Sequence, residues 1–189
     1  MPITLNGSGT VSGISVGGLP DGIIQSADFA SGVGGKILQV KQTTQTGRIS
    51  ETLTDNVFTD ISGLSVDITP SATSNKILVT YHLGLVTNSG TYNVMTRIMR
   101  GSTAIGIGDQ IGSNRPRVSN VGWTTSNYQM VNYDNMFLDS PNTTSSTTYK
   151  LQWTDSYGVT AYLNRIWQDS DTKYYPNTMC HITVMEVAA

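Results

Sequence analysis

The chain has 189 residues, 13% of them charged, with eleven Lys and Arg against thirteen Asp and Glu and a formal net charge of −2. That length carries one domain of ordinary size plus an appendage, and cations scattered singly exclude the basic face with which nucleic-acid binders displace counterions from phosphates. The lone Cys180 excludes an intramolecular disulfide and a multi-cysteine zinc site.

Residues 1–35 form a segment of their own. Asp21 and Asp28 are its only charges, and nine glycines separate the apolar residues Ile3, Leu5, Val11, Ile14, Val16, Leu19, Ile23, Ile24 and Phe29. Glycine this frequent raises the cost of ordering, and the apolar side chains are too few and too spaced to make a core. They have to be buried against something else. We expect an extended arm that orders on a partner or by self-association, the alternative being a tail without structure. Leu19-Pro20-Asp21-Gly22 reads as a turn and Ser26–Ser31 as a short helical turn. No stretch supplies the roughly twenty apolar residues of a membrane span. The start lacks a basic region followed by an apolar one, so no secretory leader is expected and synthesis in a cytoplasm is.

From Lys36 the texture changes to short β-branched and apolar runs between turns, and residues 36–189 read as one all-β domain. Lys36–Thr43 is the first strand. Val57–Asp60 and Leu64–Thr69 flank Ser62-Gly63, which reads as a hairpin-like break. Pro70–Asn75 is a small-residue loop before the long strand Lys76–Leu83. Tyr92–Met99 alternates, with Val94, Thr96 and Ile98 on one face and Asn93, Met95 and Arg97 on the other. Residues 108–126 are the longest irregular span. Tyr128–Asp139 and Thr147–Asp155 are strands, the second with Tyr149, Leu151 and Trp153 on its buried face. Val159–Arg165 and Met179–Val187 complete the set. Eight to ten such strands fit an antiparallel β-sandwich of jelly-roll type with an extended N-terminal arm; the cysteine and tryptophan landmarks of an immunoglobulin fold are absent.

Candidates for chemistry are few. His82 and His181 sit inside strands, where a hydrogen-bonded histidine is the expected role. Cys180 and His181 are neighbours in a strand and point to opposite faces, so they make no thiolate pair. Asp169 and Asp171 could approach a hard cation, but the later Glu of an EF-hand loop is missing. No catalytic, cofactor-binding or metal-binding residue is assigned, and no cofactor is expected. Aromatics remain. Tyr149, Trp153 and Tyr162 fall in strands and are assigned to the core, whereas Trp123, Tyr157, Trp167, Tyr174 and Tyr175 fall in or beside loops. Exposed rings stack on sugars or serve as protein hot spots, so these five are candidate receptor or glycan contacts. The apolar residues of the arm are the candidate docking residues. Ser, Thr, Asn and Gly stand where Lys and Glu ordinarily solvate a surface, a sign that partner subunits cover much of it.

Several strings carry a resemblance together: GTVSGISVGGLPDGIIQSADFASGVGGKILQV in the arm, SVDITPSATSNKILV, TYKLQWTD, YLNR and CHITVMEVA. The chain resembles short tail-fibre-like or head-fibre-like virion proteins of tailed bacteriophages, including those of cyanobacteria and marine bacteria, over nearly its whole length. The resemblance implies a homotrimer, an N-terminal arm that attaches to other virion proteins, a β-sandwich head displayed outward toward a host-surface glycan, and no enzymatic activity. It implies a place in the virion, without nucleic-acid binding or membrane insertion. No long shaft or repeat separates arm and head, which leaves a capsid decoration or cement protein as the alternative to a tail fibre. A glycan-degrading enzyme ranks third, because no paired-carboxylate motif stands out.

Overall fold

The computed structural model describes residues 4–5, 11–12, 36–87, 91–126 and 128–189. The chain divides into two units, Met1–Lys36 and Ile37–Ala189. In the first, β1 (Thr4–Leu5) pairs antiparallel with β2 (Val11–Ser12), which sets Leu5 opposite Val11. The turn at Leu19–Gly22, the helical turn at Ser26–Ser31 and the docking candidates Ile3, Ile14, Val16, Leu19, Ile23, Ile24 and Phe29 lie outside the described residues.

The second unit is a sandwich of two antiparallel sheets. Its strands are β3 (Ile37–Gln45), β4 (Ile49–Thr52), β5 (Thr59–Ile68), β6 (Lys76–Thr87), β7 (Asn93–Arg100), β8 (Thr103–Ile105), β9 (Asn120–Trp123), β10 (Val131–Asp139), β11 (Thr147–Thr154), β12 (Thr160–Leu163) and β13 (Cys180–Val187). Sheet I runs β3-β13-β6, with β10 along the far side of β6 and the short pair β12-β4 continuing from its end. Sheet II runs β5-β11-β7, with β8 and β9 both pairing β7 on its open side. Successive long strands cross from one sheet to the other, and the resulting orders β3-β13-β6-β10 and β5-β11-β7-β8/β9 are those of a jelly roll.

Alternation, broken once at Gly63, builds the core. Ile77, Val79, Tyr81 and Leu83 of β6 and Ile182 and Val184 of β13 point inward from sheet I. Ile61, Leu64, Val66 and Ile68 of β5, Val94 and Ile98 of β7, and Tyr149, Leu151 and Trp153 of β11 meet them from sheet II. Each such side chain taken out of water contributes about 1.5–3 kcal/mol before ordering costs. Tyr162, assigned to the core from its sequence, is instead half-buried, with the Arg165 guanidinium 4.9 Å from its ring centroid.

The break expected at Ser62-Gly63 is a bulge inside one strand. β5 is continuous over ten residues, and its pairing with β11 shifts register between Lys150 and Gln152. Ile61–Leu64 lie opposite Leu151 alone, three residues more than a regular ladder places there, and Gly63 at φ +76, a conformation that side chains with a Cβ resist, lets β5 take up the excess without ending. The 106–119 loop interrupts the edge strand between β8 and β9. It lies over the outer face of sheet II, where Ser113–Pro116 share a cleft of about 450 Å³ with Asn56 and Phe58.

Candidate functional site

The register fixes which loops share an end. Cys180 pairs Gln45 and Val131 pairs Leu85, so the C-terminal ends of β3 and β6 and the N-terminal ends of β13 and β10 lie together. Only residues 88–92 separate β6 from β7, and Asn93 pairs Trp123 while Met95 pairs Thr154, which brings the start of β7 and the ends of β9 and β11 to the same end. The loops at 46–48, 124–130, 155–159 and 164–179 therefore all emerge there. All five aromatic candidates sit on or beside these loops. Ile37, where the chain enters the sandwich, pairs Val187 at the opposite end.

Each ring is held by local chemistry. Trp123 lies on the outer face of sheet II and is 54% exposed. Its cross-strand partner Asn93 is buried, and Asn93 Oδ1 has no hydrogen-bond partner among the described residues. Tyr157 is 57% exposed and packs on Tyr92 with ring centroids 4.5 Å apart. Its loop is shaped by Asp155, a fully buried carboxylate that accepts the N–H groups of Tyr157 at 3.0 Å, Gly158 at 2.7 Å and Val159 at 2.5 Å. Charge-assisted bonds of this kind are among the stronger ones, so the turn is preset.

The 164–179 loop is tied down at both ends. Asn164, at φ +63, donates through Nδ2 to the carbonyls of Gln45 at 2.7 Å and Gly47 at 3.0 Å. Its Oδ1 accepts the Cys180 thiol at 2.7 Å. Burial pushes that thiol up to about 11, so Cys180 stays protonated and serves packing. Arg165 donates to the Trp167 carbonyl at 2.8 Å and lies 3.3 Å from Asp169, whose carboxylate also accepts Arg48. Trp167 is 38% and Tyr174 73% exposed, with Lys173 over the Tyr174 ring, while Tyr175 is half-buried and stacks with Tyr128 at 6.4 Å.

Between these groups opens a cleft of about 410 Å³, lined by Arg48, Asp169, Ser170, Asp171, Thr172, Tyr175 and Asn177. Carboxylates, an amide, hydroxyls and a guanidinium beside an aromatic ring match the alternating donors and acceptors of a polyhydroxylated ligand and its apolar faces. A cation has a poor claim on Asp169, since two arginines already balance it. Among the described residues no group of three or more His, Cys, Asp or Glu is placed to hold a metal. His82 and His181 occupy the outer face of sheet I, their ring centroids 5.9 Å apart, with His82 Nδ1 2.7 Å from Asp134.

The cleft brings together Tyr175 and the 169–177 loop. Of the five aromatic candidates only Tyr175 lines it; Trp123, Tyr157, Trp167 and Tyr174 stand at the same end and are not part of its lining. Arg48 and Asp155 were missed in the sequence. Arg48 lies 121 residues from the carboxylate that it meets, and no local pattern marks it; Asp155-Ser156-Tyr157-Gly158 did carry the signal of a carboxylate-capped turn.

The chain matches no protein-family model and no curated protein. Among solved structures it is similar to one described as "Structure of infectious bursal disease virus Gx strain", with 14% identity and a TM-score of 0.39 over 81% of this chain. The chain spans 37% of that viral chain. Among the described residues no helix is long and apolar enough to cross a membrane.

Proposed function

We propose that this chain is a structural protein of a bacteriophage particle: a short fibre whose N-terminal segment docks on other virion proteins and whose jelly-roll head holds its aromatic loop end toward a host-surface glycan. One observation carries the reading. The chain enters the head at Ile37, and the exposed rings of Trp123, Tyr157, Trp167 and Tyr174 and the polar cleft beside Tyr175 gather at the opposite end. An anchored head with that polarity puts its recognition chemistry farthest from the particle. Its role is binding, with side-chain hydroxyls, amides and carboxylates meeting sugar hydroxyls and rings meeting sugar faces; no catalytic step is assigned to it. The resemblance to phage fibre proteins over nearly the whole length points the same way.

The absence of shaft repeats between the arm and Ile37 favours a second reading, a capsid decoration protein clamped on the shell by the same arm. Gold labelling of the protein on intact particles separates the two: label at the tail supports the fibre, label over the whole head the decoration. For recognition, Trp123→Ala with Trp167→Ala should lower adsorption of particles to host cells at least tenfold. Unchanged adsorption by particles carrying the variant at normal copy number refutes a receptor-binding role for these loops.

A further inference from the structure

The two outer faces of the sandwich differ in kind. On sheet II the outward side chains form a polar net: Asp60 accepts Lys150 at 2.6 Å and Gln152 at 2.7 Å, Gln152 accepts Arg97 at 2.7 Å, and the Arg97 guanidinium lies 3.7 Å from the Phe58 ring centroid. The exposed apolar side chains of that face, Val121 and Trp123, stand at its edge on β9, outside the net. On sheet I the pairings Val40↔Met185, Met185↔Leu78 and Leu78↔Leu138 lay an apolar row straight across four strands. Met136 extends it along β10 at 67% exposure, and Val40 and Leu138, one on each edge strand, are about half exposed.

We infer that further copies of this chain pack on the outer face of β3-β13-β6-β10. Four strands about 4.8 Å apart, with nine residues rising about 3.3 Å each, make a face on the order of 550 Å² in projection. That approaches the roughly 800 Å² per partner of a stable interface once edge side chains are added, and the apolar row crosses it beside the neutral polar residues Gln42, Thr183 and Thr80, an apolar strip with a polar surround of the kind association sites show. The charges specify the occupant. Lys76 stands at one end of the face and the His82–Asp134 pair at the other, with neutral residues between them. Two such faces meet without like charges opposed, and Lys76 of one copy can approach Asp134 of the next. The row reaches both edge strands, at Val40 and Leu138, so edge-to-face contact in a ring and face-to-face contact in a pair each bury it. The inference stands on this face alone and does not depend on the virion reading.

The test is the mass of the full chain in solution at tens of micromolar, by light scattering after size exclusion. The wild type should weigh a whole multiple of 20.4 kDa, Met136→Lys with Leu138→Lys should weigh one copy with its β circular dichroism intact, and Val121→Lys on sheet II should keep the wild-type mass. A wild type of one copy overturns the inference, as does a face variant that keeps the wild-type mass. Should the double lysine variant not fold, Met136→Cys decides: its thiol is protected from a maleimide if copies cover the face, and reaction at the rate of a free thiol overturns the inference.

Discussion

Glu186 offers the sharpest test of how the head is held together. It is an inward-facing carboxylate on β13, 1% exposed, and four donors converge on it. Ser71 N–H at 2.6 Å, Ser71 Oγ at 2.7 Å and Asn75 Nδ2 at 2.7 Å reach Oε1, and Gln39 Nε2 at 2.6 Å reaches Oε2. The group thereby pins the loop before β6 and the first strand of the domain to the last. Burial alone raises the carboxyl, but the donors outweigh it and hold it at about 2, down from 4.5. The ionised form is then favoured in the folded state by about 3 kcal/mol. Glu186→Gln keeps the shape and removes the charge, so it should cost about 3 kcal/mol at pH 7, a drop of about 1–2 M in the urea midpoint at unchanged slope. Because the folded carboxyl titrates lower than the unfolded one, the wild-type advantage is complete above the unfolded value. It fades as pH falls from about 4.5 toward 2, reaching roughly half near pH 3. Urea melts of both proteins at pH 7 and pH 3 measure it. A gap under 1 kcal/mol at pH 7, or one of equal size at both pH values, refutes the reasoning.

Three further outcomes follow from other sites. Gly122→Ala places a Cβ 2.4 Å from Cε1 of the buried Tyr133, whose hydroxyl donates to the Val94 and Gly122 carbonyls at 3.1 Å, so a cost of about 1–3 kcal/mol is expected in the same melts. Asp155→Ala leaves three N–H groups of the Tyr157 turn without their acceptor; amide exchange at Tyr157, Gly158 and Val159 should quicken at least tenfold while β6 and β13 stay protected. Cys180 should resist a thiol reagent at pH 8 in the folded protein and react at once in denaturant, and rapid labelling of the native chain would contradict its burial and raised thiol.

The strands were legible because each is short, half-buried and read by a period of two: Val94, Thr96 and Ile98 face inward as their spacing requires, and so do Tyr149, Leu151 and Trp153. Gly63 misled, since a glycine between two apolar runs signals a turn and a bulge alike, and only the partner strand tells them apart. The exposed aromatics could be named from their loops, yet nothing local shows that Trp123 and Trp167 share an end. That is a product of strand order, through Asn93↔Trp123 and Cys180↔Gln45. The apolar row was hidden for the same reason. Val40 and Leu138 belong to strands read separately, and only the register through Met185 and Leu78 lines them up.

The orientation of the head can be measured on whole particles by attaching gold to Tyr174→Cys at the aromatic loops or to Thr73→Cys in the loop before β6. Nine residues of strand span about 30 Å, and electron microscopy should find the Tyr174 label farther from the particle surface than the Thr73 label by about that distance. A Thr73 label lying outside, or the two labels at equal height, would contradict the account.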